Sequence, residues 1–290
     1  MDFGVTAMGL VVGMVVGLTG MGGGALMTPL LVLLFKIQPL AAVSSDLVAA
    51  VVMKPVGGGV HLKRGTVNLQ MVKWLAFGSV PSAFLGVLVL RALGDSDAIQ
   101  HRLKLLLGVA LLVAATAMVV KAVVERGRVA SSDPVVVKPL PTLAIGVAGG
   151  LIVGMTSVGS GSLMIVLLLA LYPQLTARQL VGTDLVQAVP LVMSAAAGHL
   201  LFGDFVFGLT ASLLLGSVPG VYIGARVSSR ANDRIIRPIL VTVLAASALK
   251  LLGVPTEVVG GLLMGAILAG GVAAATWLRR RTPQIQVDTA

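Results

Sequence analysis

The chain of 290 residues is 57% hydrophobic and 11% charged, with a mean hydropathy of +1.04. One soluble core cannot bury that much apolar surface, whereas a lipid bilayer accommodates it, so the composition excludes a soluble globular protein. The formal net charge of +10 comes from 21 basic and 11 acidic residues, and most of the basic ones lie between apolar runs. The chain contains no cysteine, which excludes disulfide bonds, thiolate chemistry and cysteine-based metal sites.

Long apolar runs follow one another along the chain, each long enough for a helix to cross a hydrocarbon core of about 30 Å. They cover residues 40–60, 68–90, 103–124, 177–201, 206–227, 235–252 and 256–278. The predicted fold class is therefore an all-α integral membrane protein that crosses the bilayer several times.

Two motifs of the first half return in the second half. Residues 17–27 (GLTGMGGGALM) return as residues 154–164 (GMTSVGSGSLM), and residues 77–86 (FGSVPSAFLG) return as residues 215–224 (LGSVPGVYIG). Many membrane transporters are built as such duplicated bundles. We therefore predict a first transmembrane repeat at 1–124, a polar linker at 125–139 and a second repeat at 140–252. An extra transmembrane helix and a basic cytoplasmic tail are predicted at 253–290.

A glycine cluster interrupts the first apolar segment of each half. In the first half, apolar residues 3–18 and 25–35 flank the glycine-rich residues 20–24. Glycine inside a helix costs about 1 kcal/mol relative to alanine, so the cluster predicts unwound backbone. Such backbone is tolerated at membrane depth only where it is buried in protein or lines a watery cavity. The second half is predicted to break at the corresponding place.

The basic residues bear on how the two halves are oriented. If each broken segment counts as two crossings, each half crosses five times and the second copy is inverted. That arrangement puts more of the loop lysines and arginines on the cytoplasmic side than the alternative, in which each half crosses four times and the copies are parallel. The positive-inside bias thus favours inverted repeats.

Several motifs occur in an order and spacing that resemble a known family. They are the glycine-rich start of each half, residues 181–185 (VGTDL), His61 with Gly65, His199 with Gly203, and the Gly-Ser-Val-Pro segment of each half. Together they are similar to the TauE/SafE sulfite exporter family over nearly the whole chain. The resemblance implies export of sulfite, sulfonates or related organosulfur anions across a bacterial cytoplasmic membrane.

The glycine breaks have the chemistry of an anion site. A helix that restarts after a break directs unpaired N–H groups and the positive end of its dipole at that break. Two such helix ends are expected to face each other between inverted halves, with glycines admitting an oxyanion and hydroxyls adding donors. The predicted substrate-binding residues are Thr19, Gly22, Gly23, Gly24, Thr156, Ser157, Gly159, Ser160, Gly161 and Ser162.

Close helix packing is the alternative reason for small residues at these breaks. It is also the interpretation that we prefer for a further set of glycines, which lie within the later apolar runs. These are Gly78, Gly86, Gly216, Gly220 and Gly224.

Asp46 and Asp184 occupy matching positions and are the carboxylates that lie within long apolar runs. Carboxylates at membrane depth are functional candidates by default. One interpretation is bracing, in which each carboxylate accepts hydrogen bonds from the broken backbone nearby. The other is proton coupling during transport.

Three further residues are candidates for a gate. Lys54 has no basic counterpart in the second half, where Val192 takes the matching place. We expect its side chain to extend to the cytoplasmic interface, with pairing to substrate as the alternative. His61 and His199 are expected near the two mouths, hydrogen-bonded to loops, with a gate or pH sensor as the alternative.

The predicted function is a secondary transporter that exports a small anion, sulfite or an organosulfur anion, by alternating access. Proton-coupled uptake of a small carboxylate or sulfonate is one alternative, and a membrane accessory protein that transports nothing is another. The sequence carries no catalytic, nucleotide-binding or metal-binding motif, so we predict no enzyme, no cofactor and no metal site. The expected partners are the small anion and membrane lipid, without nucleic acid, in the inner membrane of a bacterium.

Overall fold

The computed structural model describes residues 2–19, 23–92, 96–126, 135–202, 205–227, 233–262 and 264–265. The first half contains α1 (Phe3–Thr19), α2 (Gly24–Leu34), α3 (Pro39–Lys63), α4 (Leu69–Ala92) and α5 (Ser96–Arg126). The second half contains α6 (Pro139–Thr156), α7 (Leu163–Leu171), α8 (Ala177–Leu201), α9 (Phe207–Val227) and α10 (Asp233–Leu251). No β-strand occurs within these described ranges.

Six of these helices are long and apolar enough to cross a membrane: Pro39–Lys63, Leu69–Ala92, Ile99–Val124, Pro139–Thr156, Arg178–Leu201 and Phe207–Gly224. Phe3–Thr19, Gly24–Leu34 and Pro238–Leu251 are shorter and also apolar. The prediction of an all-α integral membrane protein is thus confirmed. Of the predicted extra helix and basic tail, residues 256–262 are helical, and residues 266–290 lie outside the described part.

The described helices on either side of each glycine cluster have the bounds that the predicted breaks require. In the first half α1 ends at Thr19 and α2 begins at Gly24. The predicted site residue Gly22 falls between them, outside the described residues. In the second half residues 157–162, which we call the second break, separate α6 from α7. Gly159 (φ 129°) and Gly161 (φ 87°) have the positive φ that glycine adopts readily.

Helices from different halves pack against one another. α1 packs along α9 and α6 along α4, while α3 packs against α8 and α5 against α10. The first helix of one half corresponds to the first helix of the other half, α1 to α6, and so on to α5 and α10. If each helix is replaced by its counterpart, the same set of packed pairs results. A duplicated bundle would have such a pattern, although the duplication itself stays a prediction.

The central helices α3 and α8 run in opposite directions. Near the start of α3, the Oγ atom of Ser44 lies 2.9 Å from Nδ1 of His199, near the end of α8. At the other end of α3, His61 lies against Gly182, near the start of α8. Corresponding helices of inverted copies would run in this way, and those of parallel copies would not.

Glycines bring the backbones of the paired helices into contact. A methyl group at Gly216 of α9 would overlap the carbonyl oxygen of Thr6 in α1, and one at Gly78 of α4 would overlap that of Leu143 in α6. Small residues permit this kind of close approach between membrane helices. The packing prediction is confirmed at all five positions, Gly78, Gly86, Gly216, Gly220 and Gly224.

Candidate functional site

The buried charged side chains of the described part lie on the central pair of helices. They are Asp46 and Lys54 on α3 and Asp184 on α8. α3 and α8 pack against each other and against helices on either side of them, which keeps these side chains from lipid and solvent. A charge at such depth requires partners, so the partners define the site.

Lys54 reaches the second break. Its side chain is only 7% exposed, and Nζ donates a hydrogen bond to Oγ of Ser160 at 2.5 Å. The charges of Asp184 and Asp46 both act on this ammonium. The expectation that Lys54 extends to the cytoplasmic interface is therefore wrong, because carboxylates and a hydroxyl inside the bundle hold its charge.

Asp46 joins the two halves at the second break. Its Oδ2 accepts hydrogen bonds from the Ser157 hydroxyl at 2.6 Å and the Thr28 hydroxyl at 3.0 Å, and the side chain is 0% exposed. Its Oδ1 has no hydrogen-bond partner among the described residues. The carboxylate thus binds side chains of α2 in its own half and of the break in the other half, whereas the bracing interpretation named backbone donors, so bracing stays a prediction.

Asp184 accepts a different set of hydrogen bonds. Its Oδ1 accepts from Nε2 of Gln187 at 3.2 Å, and its carboxylate also accepts from the backbone of Gly161 in the second break. The charges of Lys54 and Lys121 act on it as well. A backbone donor that we predicted for substrate is thus already bonded to Asp184.

Gln187 is a buried site residue that sequence analysis missed. Its Oε1 accepts from the Ser79 hydroxyl at 3.3 Å, and its Nε2 also lies 3.0 Å from Sδ of Met164. Gln187 therefore ties α4 and α7 to Asp184. The available signal was an amide one helical turn after Asp184 in an otherwise apolar run.

The predicted hydroxyl donors differ in what they bind. Thr19 Oγ1 donates to the Val15 carbonyl and Thr156 Oγ1 to the Ile152 carbonyl, both at 2.7 Å within their own helices. A hydroxyl has one proton to donate, so both donors are used within the chain here, and a role of the two threonines in substrate binding stays a prediction. Ser162, by contrast, is buried, and its Oγ has no partner among the described residues.

Of the predicted glycines of the first break, Gly24 lies against the second break and Gly23 lies near Asp46. A methyl group at Gly24 would overlap the carbonyl oxygen of Ser157, and one at Gly23 would lie 3.7 Å from Oδ1 of Asp46. Ser157 itself has a positive φ of 59°, which is uncommon for a residue with a side chain. The start of α2 and the second break are therefore in contact, as expected for two breaks that face each other.

His199 caps the end of α6 and is fully buried. Its Nε2 donates to the Gly154 carbonyl at 3.0 Å, since a carbonyl can only accept. That carbonyl lacks its usual helical partner because the N–H of Val158 turns to Oγ1 of Thr156. The expectation that His199 lies at a mouth and bonds to a loop is therefore wrong.

His61 does bind a loop, as predicted. It is half-buried at the end of α3, and its Nδ1 lies 2.9 Å from Oγ1 of Thr66. Next to it is a surface cavity of about 560 Å³. This cavity is lined by Gly65, Thr66, Thr176, Arg178 and Gln179. A gating role for His61, His199 or Lys54 stays a prediction.

Apolar helices, a buried break between α6 and α7, and buried charged side chains beside it define a polytopic membrane protein with discontinuous helices. Residues 5–251 match the model of the family described as sulfite exporter TauE/SafE. The chain belongs to this family, as the resemblance of its motifs predicts, and it is a membrane transporter.

Two relatives from Bacillus subtilis match most of the chain. The probable membrane transporter protein YjnA is 40% identical over 256 residues, covering 87% of this chain and 100% of the relative. The probable membrane transporter protein YdhB is 23% identical over 242 residues, covering 83% of this chain and 96% of the relative. No solved structure matches the chain. The names of the family and of these relatives describe transporters and not enzymes.

Proposed function

We propose that this protein exports a small anion, sulfite or an organosulfur anion such as a sulfonate, across the cytoplasmic membrane of a bacterium. The observation that carries the proposal is the buried Lys54 ammonium in contact with Ser160 in the second break. A buried cation at a segment of unwound backbone is suited to an anion that must be bound and released.

The donors left at the second break fit the oxygens of a sulfur anion. The Lys54 ammonium has three donors, and one of them is used on Ser160. Ser160 accepts that bond, so its own proton remains for a ligand, and the Ser162 hydroxyl has no partner among the described residues. Sulfite and sulfonate oxygens accept such charge-assisted hydrogen bonds. The family name supports the same class of substrate.

Where the anion moves alone, its export needs no coupled ion as a driving force. An anion that leaves an inside-negative cell gains about 2.3 kcal/mol per charge for each 100 mV of membrane potential. Alternating access would follow from movement of one half against the other around the site, since the site residues come from both halves.

The test is exchange of labelled sulfite and of labelled methanesulfonate in proteoliposomes. We expect exchange by the wild type and a loss of about tenfold or more in Lys54→Met, because the anion loses a charged donor. Lys73→Met is the matched control, since Lys73 is exposed on α4 with its ammonium 6.0 Å from the centre of the Phe77 ring. Absence of exchange with every sulfur anion would refute the substrate class, and equal exchange by Lys54→Met would refute the site.

A second candidate is proton-coupled uptake of a small carboxylate or sulfonate. It is favoured by one observation: among the described residues, the two buried carboxylates Asp46 and Asp184 lie with one buried ammonium, that of Lys54. The direction of transport in intact cells separates the two candidates. An exporter lowers the content of a sulfur anion loaded into the cells, whereas coupled uptake raises the content of an anion supplied in the medium.

A further inference from the structure

We infer that Asp46 is the residue that binds a proton together with the transported anion, and that Asp184 is a fixed counter-ion of Lys54. This inference rests on the proposed function and assigns different roles to two carboxylates that are equivalent in the sequence. It makes each transport step of a monoanion electroneutral.

The two carboxylates differ in how well their negative charge is compensated. Lys54 acts on both carboxylates, but Asp184 also accepts from the Gln187 amide and the backbone of Gly161, and the charge of Lys121 acts on it as well. Both hydrogen bonds to Asp46 come from neutral hydroxyls and end on the same oxygen, Oδ2. Hydrogen bonds and opposite charges stabilise an ionised carboxylate, so Asp184 is the better stabilised of the two.

Oδ1 of Asp46 is the atom to which we assign the proton. It is buried and has no partner among the described residues, and a methyl group added at Gly23 would lie 3.7 Å from it. An unpartnered charged oxygen in a buried site is costly. A proton there removes the charge and converts the same group into a donor, which an anion oxygen can accept.

The charge of the site gives the reason for coupling. With all three buried groups ionised, two carboxylates and one ammonium carry one net negative charge among them, and the partly buried Lys121 acts on Asp184 in addition. A bound monoanion adds a second negative charge in a medium of low dielectric, which is unfavourable. A proton on Asp46 offsets this addition, so proton binding and anion binding strengthen each other reciprocally.

Few other titratable groups face Asp46. α2 and the segment from α6 through α7 carry no Asp, Glu, Lys, Arg or His. On α8 the buried groups are Asp184 and His199, and on α5 Lys121 acts on Asp184. On α9 Arg226 lies over the Tyr222 ring, with its guanidinium carbon 4.4 Å from the ring centre. Lys54 is therefore the cation whose charge acts on Asp46.

The experiment measures methanesulfonate flux in proteoliposomes at acidic and at alkaline pH, with and without an imposed membrane potential. Methanesulfonate is the probe because it remains a monoanion throughout this range, so any pH dependence belongs to the protein. For the wild type we expect net flux to increase about tenfold from alkaline to acidic medium and to be insensitive to the potential.

The two asparagine variants are expected to separate the roles. Asp46→Asn keeps the site in its neutral form, so its flux should lose the pH dependence and follow the membrane potential. Asp184→Asn should bind the anion differently but keep the pH dependence. Wild-type flux that follows the potential at all pH values would overturn the inference, as would loss of the pH dependence in Asp184→Asn alone.

A measurement on the wild type alone keeps the test independent of variant folding. Purified protein in unbuffered detergent solution receives methanesulfonate, and a pH indicator records proton uptake. We expect about one proton per bound anion at saturation. Exchange of labelled anion without any proton uptake would overturn this inference and leave the proposed function intact. Absence of exchange by the wild type would overturn both.

Discussion

The ammonium of Lys54, from the first half, donates a hydrogen bond to the hydroxyl of Ser160, in the break of the second half, at 2.5 Å. The contact is one-sided, because the matching residue of the second half is the buried Val192. The site, to which both halves contribute, thus receives the Lys54 ammonium from the first half, and this ammonium lies at the second break.

Ser160→Ala removes the partner of Lys54 together with a hydroxyl that we assign to substrate. We expect the apparent affinity for the anion to fall about tenfold, because a hydrogen bond to a charged group contributes about 1.5–3 kcal/mol. The apparent affinity is measured from the dependence of exchange in proteoliposomes on the anion concentration. Ser194→Ala is the control, since the Ser194 hydroxyl on α8 donates to the Val80 carbonyl, away from the break. Equal affinity in the two variants would speak against the site.

Gly24→Ala tests the contact between the first and second breaks. A methyl group at this position would overlap the Ser157 carbonyl, so we expect a loss of about 1–3 kcal/mol in stability and a lower thermal unfolding temperature in detergent. Gly59→Ala on α3 is the matched control, because no atom lies within 4 Å of its added methyl group. The control should be neutral or stabilising, since alanine favours a helix by about 1 kcal/mol over glycine. Equal unfolding temperatures for the two variants would contradict the contact.

Gly216→Ala tests the interface between α1 and α9. Its methyl group would overlap the Thr6 carbonyl, so the two helices must move apart, and we expect a lower unfolding temperature. Gly208→Ala, on the same helix but with open space around the added methyl group, should leave the unfolding temperature unchanged or raise it. Equal unfolding temperatures for the two α9 variants would show that the prediction is wrong.

His199→Leu removes the cap of α6. The Gly154 carbonyl then has no donor in a buried position, so we expect a loss of about 1–3 kcal/mol in stability. His61→Leu is the comparison, since His61 is half-buried and bonds to Thr66 in a loop, and its effect should be smaller. The unfolding temperatures of both variants are measured in the same detergent. A larger decrease in His61→Leu than in His199→Leu would contradict the role of His199 as the cap of α6.

The helix breaks and most helix bounds were predictable because they depend on local sequence. Glycine clusters disfavour helix wherever they occur, and an apolar run of sufficient length fits only a crossing helix. The predicted run 177–201 coincides with α8, and the predicted break of the second half lies between Thr156 and Leu163. The family could be identified because several motifs occur in a specific order and spacing, although each motif alone is common in membrane proteins.

The partners of the buried polar groups were not predictable, because they depend on which helices become neighbours. A lysine eight residues after Asp46 extends to the interface if its helix faces lipid, but α3 lies in the centre of the bundle and Lys54 turns inward. The same burial directs His199 to the end of α6. Asp46 and Asp184 are alike in sequence, and only their different neighbours distinguish them.

The interleaving of the halves has a consequence for biosynthesis. α1 is made first, yet the glycine surface that it presents is covered by α9, which is synthesised near the end of the chain. Until then α1 lies against lipid or against another protein in the membrane. The surface of α4 that packs on α6 is likewise uncovered until α6 has been synthesised. Assembly of the bundle is thus completed late, with contacts between residues far apart in sequence. A chain truncated after the linker would insert its first helices but leave their packing surfaces uncovered.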